Sequence, residues 1–457
     1  MKTVKPQPLL QFQTGLTRNP ALTYAAAAMV DNNSLSRRAR WAGGEPIVSQ
    51  LMARTVANPK MVSLAAGFVD YDTLPIEPTQ TALDIIWSDE ELARVALQYG
   101  TTAGYAPLRE AVLEHMLAAD ECTAAEMNVS LDQVVITSGS NQMLFLVSDT
   151  IADPGDIILC GMPSYYVMLG LLGNLGIRPV GVETDRHGII PQALDEQFDR
   201  LRRENLLDRV KAVYVTPYYD NPTGVTITHQ RRGELVETVK RQTTKRQTTG
   251  NRIYILEDAA YRELRYRGED IAGMRSFDPE GNTVIYTSTF SKSFSPGIRT
   301  GWGVLPPRLV DSVLAQKGNI DFGSPNLNQV LMAVAMREGL FQRHLATMRD
   351  GYRVKLDAML AAADEFLAPI EGVSWLKPEG GLYLWLELPE TVDTGLDGLL
   401  FDRAVKEGVL YVPGEFCYPQ EPNPPKKNML RLSFGIQSRR SIHRGMESLA
   451  RAIRGSL

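Results

Sequence analysis

Between residues of about 75 and 305 the chain repeats one pattern, a helical stretch followed by a short run of β-branched and aromatic residues with no polar alternation. The clearest runs are Val134-Val135-Ile136-Thr137, Ile157-Ile158-Leu159-Cys160, Ala212-Val213-Tyr214-Val215, Ile253-Tyr254-Ile255-Leu256 and Val284-Ile285-Tyr286. A strand with one face in water alternates apolar and polar residues, whereas a strand that is apolar throughout is buried on both faces. The pattern therefore predicts an α/β fold, a mainly parallel sheet with helices on either side. Ligands of such sheets sit beyond the carboxyl ends of the strands.

The last hundred or so residues differ. A helical stretch over about 325–366 leads into Gly380-Gly381-Leu382-Tyr383-Leu384-Trp385-Leu386-Glu387-Leu388, which alternates like a half-exposed strand. At 457 residues the chain exceeds one average domain. The expected division is a leader without fixed structure (1–33), an N-terminal segment joining the smaller domain (34–74), a large domain (75–325), and a bridging helix with a smaller α+β domain (326–457). Ser34 is placed to cap a helix through Arg37, Arg38, Arg40 and Trp41, and the basic face of that helix reads as solvated. Only about 33 residues precede the fold, too few for a DNA-binding domain with a linker. Lys240-Arg241-Gln242-Thr243-Thr244 is repeated directly as Lys245-Arg246-Gln247-Thr248-Thr249, which reads as a duplicated surface segment between a helix and the strand at 253.

Composition narrows the function classes. A net charge of -5 is not that of a dedicated nucleic-acid surface. No run of apolar residues is long enough to span a membrane. The three cysteines, Cys122, Cys160 and Cys417, are widely spaced and odd in number, so the expectation is a reducing, cytoplasmic setting rather than a disulfide framework. The five histidines are scattered, and no metal site is expected.

The chemistry concentrates where the chain leaves the strand at 284. Tyr286-Thr287-Ser288-Thr289-Phe290-Ser291-Lys292 passes through small hydroxyl residues and presents one lysine; Ser295-Pro296-Gly297-Ile298-Arg299 then turns into the strand Trp302-Gly303-Val304-Leu305. A lysine held among apolar neighbours has a lowered pKa and a free lone pair, which suits a Schiff-base amine. The hydroxyls of Ser288 and Ser291 and the Arg299 guanidinium suit a phosphate. An aldehyde for the lysine and a phosphate for its neighbours point to pyridoxal 5'-phosphate.

Further pieces fit that reading. Ser138-Gly139-Ser140-Asn141-Gln142 turns from a strand into a helix N-terminus, where free N–H groups of Ser140 and Asn141 face an anion. Asn221, in Asn221-Pro222-Thr223-Gly224, is placed to hold a polar ring substituent. Asp258 ends the strand of Glu257-Asp258-Ala259-Ala260-Tyr261, so that Asp258 and Tyr261 stand over one pocket and the acid can keep a pyridine nitrogen protonated. Tyr165, in Pro163-Ser164-Tyr165, is placed to stack on a flat ring.

In this order these motifs resemble the fold-type-I pyridoxal-phosphate-dependent aminotransferases, the aspartate aminotransferase superfamily of classes I and II, over roughly residues 34–457. The resemblance implies a mainly parallel mixed sheet of the seven-stranded type between helices. It also implies a homodimer in which Tyr99, from Leu97-Gln98-Tyr99-Gly100, reaches the neighbouring subunit's phosphate. Arg431, in Asn428-Met429-Leu430-Arg431-Leu432-Ser433-Phe434, takes the place of the arginine that grips the substrate α-carboxylate, with Asn221 and Gly67 as further substrate contacts. Leu64-Ala65-Ala66-Gly67-Phe68 and Pro378-Glu379-Gly380-Gly381-Leu382 look like the 2-aminoadipate, kynurenine and aromatic branch.

Two departures stand out. Phe68-Val69-Asp70 replaces a second glycine and a proline near the expected substrate side chain, and Ala259-Ala260 replaces the more usual acidic or proline-containing pair before Tyr261. The first leaves substrate identity open. The expected function is transfer of an amino group between an L-amino acid and a 2-oxo acid; an eliminating synthase, a β-lyase or decarboxylase on the same scaffold, and a non-catalytic effector-binding module are the alternatives.

Overall fold

The computed structural model describes residues 34–41, 47–58, 60–245 and 252–457. The leader and most of the second pentapeptide copy lie outside the described residues.

The large sheet runs in the order Val134–Thr137, Gly301–Val304, Val284–Thr289, Tyr254–Asp258, Val210–Val215, Ile157–Met162, Arg178–Asp185, Gly188–Ile189. From Val284–Thr289 through Arg178–Asp185 every pairing is parallel. Gly301–Val304 is antiparallel to both of its neighbours, and the two-residue edge strand is antiparallel as well. Seven strands of four residues or more plus that short edge give the mixed, mainly parallel sheet expected from the sequence. Arg178–Asp185 was not among the expected strands: Pro179, Gly181 and Glu183 interrupt its apolar run, although Val180 and Val182 are buried.

The absence of alternation has the expected cause. The central strands Tyr254–Asp258 and Val284–Thr289 are buried along their whole length. Leu194, Phe198, Leu235 and Val239 cover one sheet face from the helices Pro191–Arg203 and His229–Thr244. Met143, Leu146, Met168, Leu172 and Val313 cover the other from Ser140–Ile151, Tyr166–Leu175 and Pro307–Asp321. Each such side chain contributes roughly 1.5–3 kcal/mol when fully buried, so the two layers fix where the strand ends lie.

The helical stretch expected over 325–366 is two helices, Asn326–Arg337 and Leu340–Phe366, separated at Gly339, whose φ of 67° is one that glycine adopts without strain. The second helix runs about 40 Å at 1.5 Å per residue and packs along the C-terminal helix Arg439–Arg454. The smaller sheet is antiparallel, in the order Ser374–Trp375, Tyr383–Glu387, Met429–Ser433, Val412–Pro413. Val62–Ser63 pairs in parallel with Val409–Leu410, which ties the N-terminal segment to this part of the chain. The short helix Arg37–Trp41 lies on Tyr166–Leu175; Arg38 pairs with Asp149 at 3.1 Å and Arg37 lies over the Trp41 ring.

Candidate active site

The carboxyl ends of the large sheet open into a cavity of about 330 Å³. Its wall includes Gly67, Ser140, Asn141, Tyr165, Asn221, Asp258, Tyr261, Ser291, Lys292 and Arg299. Residues up to 232 positions apart in the chain thus meet because each lies at or near the end of a strand.

Lys292 stands on the short helix Phe290–Ser293, which Thr289 caps by accepting from the Ser291 N–H at 3.2 Å. Its amine donates to the Gly67 carbonyl at 2.8 Å. Burial holds the amine below the ordinary lysine range, and the positive charges of Arg431 and Arg299 act the same way. A larger fraction is therefore neutral and nucleophilic at a given pH.

Asp258 closes the strand Tyr254–Asp258 and is 4 % exposed. Its two oxygens accept from the Tyr214 hydroxyl at 2.8 Å and the Ala260 N–H at 3.2 Å. Burial pushes its pKa up to about 6, against those two donors.

The anion corner is built from two turns. Gly139 has φ of 80° and leads into the helix Ser140–Ile151; a Cβ there would come within 2.6 Å of Arg299 Nη2. Arg299 itself has φ of 45°, and its guanidinium donates to Ser291 Oγ at 3.1 Å and the Ser138 carbonyl at 3.4 Å. The left-handed backbone brings the arginine back over the Ser291 hydroxyl and the helix N-terminus. Ser288 is not part of this corner: its hydroxyl turns to the Ala259 carbonyl at 3.5 Å, while Thr289, the next residue along the strand and thus on the opposite face, lines the cavity.

Arg431 is not part of the cavity wall; 1 % exposed on the strand Met429–Ser433, it packs behind the lining residues Asn221, Tyr166 and Tyr383. Its guanidinium donates to Asn221 Oδ1 and the Ala65 carbonyl, both at 2.8 Å, and sits over the rings of Tyr383 at 4.3 Å and Tyr166 at 5.2 Å. Its Nε has no hydrogen-bond partner among the described residues. Tyr261 meets Tyr383 hydroxyl to hydroxyl at 3.0 Å, and Asn221 Nδ2 donates to Tyr261 at 3.3 Å. A side chain at Gly67 would collide with the Tyr383 hydroxyl, which accounts for the glycine.

Tyr99 lies away from this cavity. It is 80 % exposed, its ring edge-on to Phe322 at 5.5 Å. Sequence reading missed Tyr214, Thr216, Tyr166, Thr289 and Tyr383, which also line the cavity. Of these, Tyr214 sits in a recognised strand and Tyr383 in a recognised alternating one; nothing in one chain marks a strand tyrosine as facing a site rather than packing.

The residues present fit a phosphorylated pyridine aldehyde. Ser140 and Asn141 begin a helix whose first N–H groups have no intrahelical acceptor. The desolvated amine, the buried acid and the flat face of Tyr165 surround one space. Fold and site together define an α/β protein of fold type I with one lysine facing the cavity at the carboxyl edge of its sheet.

The chain belongs to the aminotransferase class I and II family, whose family model matches residues 59–449. It is 33 % identical over 404 residues to the aromatic-amino-acid aminotransferase 1 of Thermococcus litoralis, covering 88 % of this chain and 90 % of that one. It is 32 % identical over 408 residues to the 2-aminoadipate transaminase of Thermus thermophilus, covering 89 % and 93 %. The solved kynurenine aminotransferase of Pyrococcus horikoshii superposes with a TM-score of 0.83 at 32 % identity, covering 94 % of this chain and 99 % of that one. The protein is an aminotransferase, and transamination is its reaction.

Proposed function

We propose that the protein is a homodimeric, cytoplasmic aminotransferase that uses pyridoxal 5'-phosphate on Lys292 to pass an amino group between a bulky, neutral L-amino acid and a 2-oxo acid. The observation that carries this reading is the Lys292 amine, desolvated and facing one cavity with Asp258, Tyr165 and the anion corner.

Ser140, Asn141, Ser291 and Arg299 would hold the phosphate, Tyr165 the ring face, Asn221 and Tyr261 the ring hydroxyl, and Asp258 the ring nitrogen. Hydrogen bonds to a charged group contribute roughly 1.5–3 kcal/mol each, more than the ~0.3–1 kcal/mol of the helix dipole, so the donors dominate phosphate binding. When bound, the cofactor supplies an electrophilic carbon and a ring that accepts the electron pair left at the substrate Cα. Asp258 keeps the ring nitrogen charged. Arg431, fixed by Asn221, grips the α-carboxylate with two parallel N–H groups. Lys292, its desolvated amine facing the cavity, would take the proton from the substrate Cα and hold it for return. A 2-oxo acid then runs the same steps backwards, a ping-pong exchange.

Substrate class follows from the remaining wall. Phe68, Tyr166 and Val167 are apolar or aromatic, and the cations lining the cavity among the described residues are Lys292 and Arg299, both already engaged. No lining cation is left for a side-chain carboxylate. The relative named for aromatic amino acids supports this reading more directly than the one named for 2-aminoadipate. Tyr99 and Phe322, in ring contact at 5.5 Å, are both more than half exposed, as are Leu97, Ile76 and Ile320, and a second copy would cover such apolar side chains. The unpaired cysteines accord with a reducing compartment.

The test is a set of half-reactions, one amino acid at a time, followed by loss of the bound cofactor's visible band. Phenylalanine, tyrosine, tryptophan or leucine should discharge it faster than aspartate or glutamate at equal concentration. Fastest discharge by a dicarboxylic substrate would overturn the assignment of substrate class.

A further inference from the structure

Asp258 does not stand alone. Val210–Val215 and Tyr254–Asp258 are parallel neighbours, with Tyr214 opposite Leu256. Side chains two apart on a strand share a face, so Asp258 lies on the same face as Tyr214, one step along the diagonal. The phenol hydroxyl reaches Asp258 Oδ2 at 2.8 Å. Thr216, two residues past Tyr214, donates its hydroxyl to the Tyr214 oxygen at 3.3 Å. The phenol has one proton, and it is committed to the carboxylate because the threonine fills an acceptor position. Burial keeps Tyr214 well above the ordinary phenol range, so that proton stays in place at working pH. Tyr214 and Thr216 also border a second, much smaller cavity of about 30 Å³ behind the site, with Asp220 and Thr223.

Building on the cofactor reading above, we propose that Tyr214, backed by Thr216, is a positioning residue that keeps the Asp258 carboxylate ionised and fixed in plane, so that a pyridine nitrogen in the cavity meets a charged acceptor. A merely structural tyrosine would affect every ligand of the pocket alike. A tyrosine acting through Asp258 would affect only ligands that present the nitrogen.

The experiment compares two probes on the full-length chain freed of cofactor: pyridoxal 5'-phosphate, and its 1-deaza analogue, in which a C–H replaces the ring nitrogen. The wild type should bind pyridoxal 5'-phosphate more tightly than the analogue. In Tyr214→Phe that preference should fall by about tenfold or more, the loss expected for a hydrogen bond to a charged group, while the analogue's affinity stays within about twofold. Thr216→Val should reduce the preference by a smaller factor, and it serves as the second variant should Tyr214→Phe fold poorly. An unchanged preference, or equal weakening of both probes, would overturn the assignment. A wild type with no preference would remove the role of Asp258 and this proposal with it. Failure of either probe to form a visible band would instead contradict the cofactor reading itself.

Discussion

Arg431 and Asn221, 210 positions apart, share a hydrogen bond of 2.8 Å from guanidinium Nη1 to amide Oδ1. An arginine has no acceptor, so the bond fixes which end of the amide faces it and turns Nδ2 toward the Tyr261 hydroxyl at 3.3 Å. One amide therefore orients both the group proposed to bind the carboxylate and the phenol proposed to bind the cofactor. Asn221→Ala should lower kcat/KM by about tenfold to a hundredfold, with substrate affinity and rate both affected, as expected when a charged-group hydrogen bond of roughly 1.5–3 kcal/mol is lost. Steady-state kinetics on one donor checks it.

Arg431→Lys keeps the charge and loses the planar fork. Amino acids and 2-oxo acids should both weaken, by about tenfold or more, while pyridoxal 5'-phosphate stays bound. Separate KM measurements for donor and acceptor, with cofactor content read by absorbance, make the comparison. If the wild type bound an amino acid and its amine analogue equally, Arg431 would not be the carboxylate clamp.

Gly139→Ala adds a methyl group within 2.6 Å of Arg299 Nη2, at a φ of 80° that side chains rarely adopt. Affinity for free inorganic phosphate and for pyridoxal 5'-phosphate should fall together, roughly tenfold or more. Circular dichroism of the variant should remain near that of the wild type.

Asp220 gives a pH dependence. Burial pushes its folded pKa up to about 7, whereas an unfolded aspartate titrates near ~3.9. Between those values the folded chain holds the proton and the unfolded chain does not. This group's contribution to stability is thus complete below about pH 4 and is lost as pH rises through about 7. Asp220→Asn removes that loss, so its melting temperature relative to the wild type should rise from pH 5 to pH 8. A difference that stays flat, or that changes in the opposite sense, would count against a protonated Asp220.

The proposed subunit contact is tested in solution. Sedimentation should give twice the 50.7 kDa chain mass. Tyr99→Ala should lower affinity for pyridoxal 5'-phosphate by about tenfold, since a donor to a charged group is lost. A fully active monomer would contradict the contact.

Much of this was legible in the chain. Buried parallel strands announce themselves by unbroken apolar runs, and a glycine turn before a helix or an acid at a strand end announces a ligand edge. Arg178–Asp185 was illegible because its glycine and proline dilute the run, and its burial is supplied by neighbours on both sides. The break at Gly339 was hidden by apolar periodicity that continues through both helices. Within the site, Lys292, Asp258 and Asn221 could be picked out from their local motifs at strand ends, and Arg431 from the family resemblance. Tyr214 and Tyr383, in strands, and Tyr166, at the start of a helix, could not, since a tyrosine packs in a core as readily as it faces a cavity. Ser288 and Thr289 show the same limit at finer scale: which hydroxyl faces the site depends on strand phase.

The central claim is that Lys292 both anchors the cofactor and moves the proton between Cα and C4'. It is tested most directly with Lys292→Ala reconstituted with pyridoxal 5'-phosphate, mixed with a reactive L-amino acid, and followed in single turnover at the substrate's α-deuterium. The variant should bind cofactor by its phosphate corner without forming the protein-linked visible band, and its exchange of the α-deuterium should fall by several orders of magnitude. Exchange at a near wild-type rate would show that another group moves the proton.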